Sequence, residues 1–324
     1  MTSQYNTNMS IIYDAHACPP FAPNKDLSGL ARYKASGVNF VSVNVGYGDM
    51  SLEEVLSIIH RFRDFIQINS NEYFLVTTAK DIEHCKQTKK LGVAFDLEGV
   101  NSLENHIDML DTYKKLGVKQ MLLAYNKNNY AAGGCLDNDT GLTTIGARII
   151  RKMNESGIVV DCSHAGIKTT FDIFTLSAQP VVFSHANPMG MHKHPRNITD
   201  EQIKGCAETG GVIGINGISI FLGSKEPTVS LVADHIEYVT QLVGSSHVGI
   251  GLDYILDHDE VKAAVKASPH LFPHEQHFTN VELLIPEQIP AILNELTNRG
   301  YKAHEIQAIM GGNFMRVVKQ VWGE

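Results

Sequence analysis

The run GVAFDLEG, residues 92–99, is a short and almost continuously apolar stretch that ends at Glu98. Runs of this kind are typical of parallel β-strands, because helices cover both faces of a parallel sheet. Seven further runs of the same character occur along the chain, which makes eight. They are IIYDAH (11–16), FVSVNVG (40–46), QMLLAYN (120–126), IVVDCSH (158–164), VVFSHAN (181–187), GVIGIN (211–216) and VGIGLDY (248–254).

Amphipathic helical patterns separate these runs. The pattern that begins at Ser51 has a capping box with Glu54, and the pattern NSLENHIDMLDTYKKLG (101–117) ends at Gly117, a C-cap signal. Further helices are predicted in TTIGARIIRKMNESG (143–157), TDEQIKGCAETGG (199–211) and SLVADHIEYVTQLVG (230–244).

The alternation of strands and helices predicts the fold. Eight such alternations in 324 residues favour an α/β protein with a (β/α)8 barrel, the TIM barrel. We expect one domain over residues 1–324, with small N- and C-terminal extensions. A doubly wound open sheet is the structural alternative. The additional run YFLVTT (73–78) is expected to form a short excursion before the third strand.

Composition excludes several classes of protein. The net charge of −8 disfavours binding to nucleic acid or to an anionic membrane, because an acidic surface repels phosphates. The segment MTSQYNTNMS (1–10) lacks the basic and apolar regions of a secretory signal. The five cysteines are widely spaced without a CxxC motif, which favours free thiols in the cytoplasm over a disulfide framework.

Polar residues with metal-binding chemistry stand at the ends of five of the eight runs. Barrel enzymes build their sites from the C-terminal ends of the strands, so these residues should converge on one mouth of the barrel. A single histidine in such a position is more often structural than a ligand, but the joint set of imidazoles and carboxylates suits zinc. The set comprises His16, Cys18, Glu98, His164, His185 and Asp253.

The same residues lie in segments that resemble the renal (membrane) dipeptidases, peptidase family M19, a branch of the metal-dependent amidohydrolase barrels. The resemblance runs from Asp14 to about Val318. IIYDAH is similar to the opening Asp-x-His-x-Asp segment of the family, and the Ser-His-x-Asn and His-Pro-Arg-Asn segments follow in the family's order. The resemblance implies a metal-dependent hydrolase of the (β/α)8 type.

The resemblance also implies a role for each matching residue. His16 would bind a first zinc ion, Glu98 would bridge two ions, and His164 and His185 would bind the second. Asp253 would orient a metal-bridging hydroxide and pass its proton to the leaving amine. Arg196 would bind the substrate carboxylate, a task that suits a bidentate guanidinium. Without the family, a loop salt bridge would be the preferred interpretation of Arg196.

Two residues depart from the family pattern. Cys18 replaces the usual aspartate ligand, and its thiolate is also a good zinc ligand, although its side chain is shorter. Three kinds of metal site are then open: a two-zinc site with one sulfur ligand, a site that holds only the second ion well, and a degenerate site. We favour the two-zinc site. Tyr125 replaces a histidine that faces the scissile carbonyl; it could still donate a hydrogen bond, or simply pack.

Three functions remain open at this point. The leading hypothesis is a zinc dipeptidase that hydrolyses the amide of dipeptides or dipeptide-like small molecules. The alternatives are a variant amidohydrolase that acts on a pathway-specific metabolite, and a metal-depleted, non-catalytic homologue. A small peptide-like substrate is the expected partner, with no nucleic acid or membrane, and a homodimer is possible. The histidines of HEQHF, His274 and His277, are interpreted as pocket rim or surface.

Overall fold

Eight parallel strands form a closed barrel in the computed structural model, which describes residues 11–273 and 281–323. The strands are β1 Tyr13–Cys18, β2 Phe40–Tyr47, β3 Tyr73–Leu75, β4 Leu91–Glu98, β5 Val118–Leu122, β6 Val159–Asp161, β7 Val181–Phe183, β8 Val212–Ile215, β9 Val248–Ile250 and β10 Tyr254–Ile255. Because β1 pairs with both β2 and β9, the ring closes in the order β1-β2-β4-β5-β6-β7-β8-β9. β3 pairs with β4 and β10 with β1, beyond this ring.

Helices connect the strands and cover the barrel. They are α1 Ala31–Ala35, α2 Leu52–Ile68, α3 Ala79–Thr88, α4 Met109–Leu116, α5 Thr144–Ser156, α6 Ile167–Leu176, α7 Asp200–Glu208, α8 Ser219–Leu222, α9 Val229–Val243, α10 His258–Ala267, α11 Ile289–Asn298, α12 Ala303–Gln307 and α13 Asn313–Trp322. The (β/α)8 prediction is therefore confirmed, including the extra strand β3, and the open-sheet alternative is wrong.

The capping signals in the sequence predicted two helix ends correctly, but the predicted extent of one helix is wrong. The Ser51–Glu54 capping box is present, and Gly117 ends α4 with a φ of 110°. The predicted helix over 101–117 is wrong in its first half, because Glu104 and Asn105 adopt left-handed φ values of 48° and 64°. The chain forms only a 3-10 turn at Asn101–Leu103 before α4 begins.

The C-terminal helix α13 closes the end of the barrel at which the strands begin. Its apolar side chains form a buried cluster with the first residues of several strands. The ring of Phe314 stacks on Tyr13 with a centroid distance of 5.1 Å, and Tyr13 in turn lies 4.4 Å from Phe40. This apolar plug leaves the opposite end of the barrel, where the strands terminate, as the open mouth.

Two sequence predictions fall outside the described residues. The N-terminal segment 1–10 and the segment with His274 and His277 are not described, so those interpretations stay predictions. The prediction of one domain over the whole chain stays a prediction for the same reason. Within residues 11–273 and 281–323, no helix combines the length and the apolar character needed to cross a bilayer.

Gly251, immediately after β9, allows the strand ends at the mouth to approach one another. A Cβ atom at this position would lie 1.7 Å from the backbone oxygen of Ser184 and 3.4 Å from the Cα of His185. Both contacts are with backbone atoms, so no side-chain rotation could relieve them. The close approach brings the end of β9 against the chain that follows β7, across the intervening strand β8.

We expect Gly251→Ala to lower the free energy of unfolding by about 3 kcal/mol, since overpacking against backbone forces the strands apart. Urea denaturation would measure the loss. Gly312→Ala is the control: Gly312 is exposed and helical, and its Cβ would come no nearer than 3.1 Å to the Gln307 oxygen. Equal stability of Gly251→Ala and the natural protein would contradict the role assigned to this glycine.

Candidate metal centre

The predicted site residues of five different strands meet at the mouth of the barrel. His16 and Cys18 end β1, and Glu98 ends β4. His164, His185 and Asp253 lie in the connections that follow β6, β7 and β9. All six side chains are buried except that of Cys18, which is partly exposed.

The Glu98 carboxylate lies at the centre of this group. Its Oε1 atom is 3.1 Å from His164 Nε2, 3.3 Å from His185 Nε2 and 3.6 Å from His16 Nε2. The imidazoles of His164 and His185 also face each other, and their Nε2 atoms are 3.1 Å apart. One carboxylate oxygen thus stands within reach of three imidazole nitrogens.

Cys18 and Asp253 complete the other side of the group. The sulfur of Cys18 lies 3.4 Å from His16 Nε2 and 3.2 Å from Asp253 Oδ1, and the latter two atoms are 3.6 Å apart. Despite its short side chain, Cys18 therefore brings its sulfur to the same place as the imidazole and carboxylate. The second oxygen of Asp253 accepts a hydrogen bond of 2.9 Å from Asn216 Nδ2.

A polar side-chain atom lies within 3.1 Å of the other nitrogen of each imidazole. His16 Nδ1 lies 3.1 Å from Asp96 Oδ1, His164 Nδ1 lies 2.7 Å from Asn126 Oδ1, and His185 Nδ1 lies 2.6 Å from Ser184 Oγ. Such contacts leave Nε2 free to face the centre and fix the plane of the ring.

These supporting residues were missed by the sequence predictions. Asp96 carried a usable signal, because it stands two residues before Glu98 and alternate residues of a strand face the same side. Asn44 on β2 is a polar residue inside an apolar run, and its Nδ2 donates to Asp96 over 3.3 Å. Asn126 and Asn216 each end one of the apolar runs and so carried the run-end signal, whereas Ser184 carried none.

Three residues of the site adopt left-handed backbone conformations. The φ values are 59° for Asn126, 64° for His164 and 57° for Asp253. Residues other than glycine rarely adopt this region, and it costs about 1–3 kcal/mol where tertiary structure enforces it. The backbone turns back at the strand ends and aims these side chains into the mouth.

Burial and like charge set the protonation of the centre. Burial raises the pKa of Glu98 to about 8; His16 opposes this rise, and the charge of Asp253 adds to it. Burial lowers the pKa of His164 and of His185 well below the usual value, so both imidazoles are neutral at pH 7. Although burial opposes its protonation, the carboxylates of Asp96 and Glu98 raise the pKa of His16.

The donor set fits zinc. Two groups have ligand atoms that all lie within 4.8 Å of one another: His16, Cys18 and Asp253 form one, and His16, Glu98 and His185 the other. Neutral imidazoles, carboxylates and a thiol are the ligands that zinc prefers. The buried carboxylates of Glu98 and Asp253 around this point also favour a cation, since a buried charge requires a partner of opposite sign.

Arg196 and Tyr125 border the cavity above the centre. Arg196 is 3% exposed, its Nη2 donates to the backbone oxygen of His185 over 3.4 Å, and its Nε has no hydrogen-bond partner among the described residues. No described carboxylate forms an ion pair with it, so the loop salt bridge considered from sequence does not occur among these residues. The ring of Tyr125 stacks on that of His164 at 4.4 Å, and burial raises its pKa, so its hydroxyl stays protonated.

Comparison with curated proteins shows similarity to fungal dipeptidases. The chain is 27% identical to the dipeptidase verJ of Clonostachys rogersoniana, over 84% of this chain and 66% of that protein. It is also 27% identical to the dipeptidase tcpJ of Claviceps purpurea, over 95% of this chain and 73% of that protein. The aligned region thus leaves about a third to a quarter of these relatives unmatched.

Solved structures share the fold. An amidohydrolase from Pseudomonas aeruginosa superposes with a TM-score of 0.92 at 27% identity, covering 98% of both chains. A metallo peptidase from Rhodobacter sphaeroides, liganded with a phosphinate mimic of the dipeptide L-Ala-D-Ala, has a TM-score of 0.79 at 19% identity over 97% of this chain and 100% of that one. At that identity the second likeness shows the fold alone.

The model of the membrane dipeptidase family, peptidase family M19, matches residues 23–271, which is well over half of the chain. The matched region contains Glu98, His164, His185, Arg196 and Asp253. Together with the closed barrel and the convergent strand ends, this match shows that the chain belongs to the membrane dipeptidase family, a family of hydrolases.

Proposed function

We propose that the protein is a zinc-dependent dipeptidase that hydrolyses the amide bond of dipeptides or dipeptide-like small molecules. One observation carries the proposal: a buried carboxylate, Glu98, lies among three imidazole nitrogens in the same cavity as the Arg196 guanidinium, which forms no ion pair with a carboxylate among the described residues. The cluster around Glu98 can accommodate cations, and the Arg196 guanidinium can bind a carboxylate. The fungal relatives are named dipeptidases, which supports the same assignment.

His16, Cys18 and Glu98 would hold a first zinc ion, and Glu98, His164 and His185 a second. Bound zinc would supply a Lewis acid for the carbonyl and would lower the pKa of a water molecule. The chain's own residues must then place the substrate and move a proton.

Asp253 is the residue placed to move that proton. Its Oδ2 is held by the Asn216 amide at 2.9 Å, while Oδ1 faces Cys18 and His16. This hydrogen bond and the left-handed backbone fix one oxygen toward the centre, where it could pass a proton to the leaving amine. Asp253 is thus proposed as the acid and base of the reaction.

Arg196 and Tyr125 would position the substrate. The Arg196 guanidinium can bind the C-terminal carboxylate of a dipeptide through two parallel hydrogen bonds, because its Nε is available. The protonated hydroxyl of Tyr125 borders the same cavity and could donate to the carbonyl oxygen. Both residues wall the cavity that contains Glu98.

Amide hydrolysis of a pathway-specific metabolite is the second candidate. The stacking of Tyr125 on His164 favours it, because a neutral aromatic ring beside a ligand changes the shape of the site relative to the family's histidine. The metal-depleted alternative is less favoured, since the donors of Cys18 and Asp253 lie together.

We also propose a cytoplasmic location, which is consistent with five free cysteines in the described residues. A homodimer stays a prediction.

Metal removal tests the proposed chemistry. We expect the purified protein to contain about two zinc ions per chain, to lose hydrolysis of L,L- and L,D-dipeptides after chelation, and to regain it with zinc. Elemental analysis and a dipeptide panel would measure both quantities. A zinc-replete protein that cleaves no member of the panel would refute the dipeptidase assignment, and cleavage of N-acyl amino acids instead would favour the second candidate.

Cobalt substitution tests Cys18 as a ligand without relying on activity. A thiolate bound to cobalt produces a charge-transfer band in the near ultraviolet, so the cobalt-loaded protein should show this band. Cys18→Ser and Cys18→Asp should abolish it, and Cys18→Asp should still bind cobalt. Cys85→Ser is the matched control, because Cys85 is buried in the apolar cluster formed with α13. A band that survives in Cys18→Ser would exclude sulfur ligation.

Replacement of Arg196 tests the carboxylate site. Arg196→Lys keeps the charge but loses the bidentate geometry, so kcat/KM for free dipeptides should fall roughly 100-fold. Dipeptide amides, which lack the carboxylate, should be affected much less. The control is Arg151→Lys, on the exposed side of α5. Equal losses for acid and amide substrates would contradict the assigned role.

A further inference from the structure

The cavity above the metal centre has two unlike ends. Arg196 follows β7, whereas Tyr47 ends β2. In the ring order these are the sixth and the second of eight strands, so they lie on opposite sides of the barrel mouth. Glu98 pairs in register with Tyr47 and faces the centre between them. A substrate whose carboxylate binds Arg196 therefore extends toward Tyr47.

Aromatic rings form the wall at the Tyr47 end. Phe21, in the connection after β1, stacks on Tyr47 with a centroid distance of 5.8 Å. Tyr47 lies 5.2 Å from Tyr125, which meets Phe272 edge to face at 5.8 Å. We call these four rings the aromatic chamber. All four line the same cavity as Glu98 and Arg196.

Helix α10 forms the roof of the aromatic chamber. Val261, Ala264 and Val265 line the cavity, and the two valines pack with Phe272 against Tyr47 and Tyr125. Their spacing of three and four residues places them on one face of the helix. The neighbouring Ala263 is exposed and does not line the cavity.

Two carboxylates, Asp257 and Glu260, line this end of the cavity, and the nearby Arg61 guanidinium partly offsets the charge of Glu260. Among the described residues that line the cavity, Arg196 is the only lysine or arginine. Asp257 is paired with Lys25 at 2.7 Å. Glu260 accepts the backbone amides of Phe21 and Ala22 through Oε1, while its Oε2 is buried without a hydrogen-bond partner among these residues. An acidic side chain here would meet apolar walls and a carboxylate.

We propose that the aromatic chamber binds the side chain of the substrate's amino-terminal residue, and that the preferred substrates are dipeptides with a large apolar or aromatic residue at that position. This inference rests on the proposed function. Burial of such a side chain among apolar walls favours it over alanine by roughly tenfold or more. Glutamate and aspartate at the same position are disfavoured by desolvation and by the Glu260 charge.

Two measurements on the zinc-loaded protein test the proposal. The first is kcat/KM for a series of dipeptides that differ only in the amino-terminal residue: Phe, Leu, Ala and Glu. The second is calorimetric binding of phosphinic pseudo-dipeptides with the same side chains, in which a phosphinate replaces the amide. Both series should rank Phe and Leu above Ala, and Ala above Glu.

A substitution that fills the aromatic chamber should remove the preference for a large amino-terminal side chain. Ala264→Phe places a ring inside the aromatic chamber and should lower the ratio of Phe to Ala substrates by roughly tenfold. Ala263→Phe adds the same ring to the exposed side of α10 and should leave that ratio unchanged. An unaltered ratio in Ala264→Phe, with Ala263→Phe as the reference, would overturn the proposal.

The outcomes separate this proposal from the proposed function. Cleavage of all four dipeptides at equal efficiency would overturn the chamber assignment and leave the dipeptidase assignment intact. Absence of cleavage, with the phosphinic compounds still ranked by side chain, would refute the dipeptidase and support the chamber. Absence of both cleavage and ranked binding would overturn both.

Discussion

Burial of the Glu98 carboxylate is the constraint on which the site depends. A buried carboxylate is costly unless it is neutralised or surrounded by suitable partners. Here its Oε1 faces the Nε2 atoms of three imidazoles, and burial raises its pKa to about 8. This arrangement is expensive as a purely structural device, because a well-packed apolar residue would be stable at the same position. It is what a centre that binds cations requires.

A layer of polar residues beneath the mouth keeps the centre in place. Asp96 accepts hydrogen bonds from Ser42 at 2.6 Å and from Asn44 at 3.3 Å, and it also lies beside His16. Asp161 accepts from the backbone amides of Ser163 and Ser184, next to the strand ends that carry His164 and His185. The apolar plug of α13 below this layer stabilises the barrel, which allows left-handed backbone at the mouth.

The substrate contacts proposed above come from parts of the chain that do not belong to the centre. Arg196 follows β7, and the aromatic chamber is built from the connection after β1, the end of β2 and helix α10. Glu260 on α10 links these parts, because its carboxylate accepts two backbone amides of the connection that follows Cys18. Glu260 therefore ties the connection after Cys18 to the helix that covers the chamber.

The sequence by itself determined the fold and placed six polar side chains at the ends of its strands. Short apolar runs with polar ends predict parallel strands and their convergence, since strand ends of a closed barrel share one mouth. Only the tertiary structure decided which atoms face each other. The pairing of Cys18 with Asp253, the support of His164 by Asn126 and the position of Arg196 opposite Tyr47 join residues far apart in sequence. They depend on barrel closure and left-handed turns, which no local pattern in a single sequence encodes.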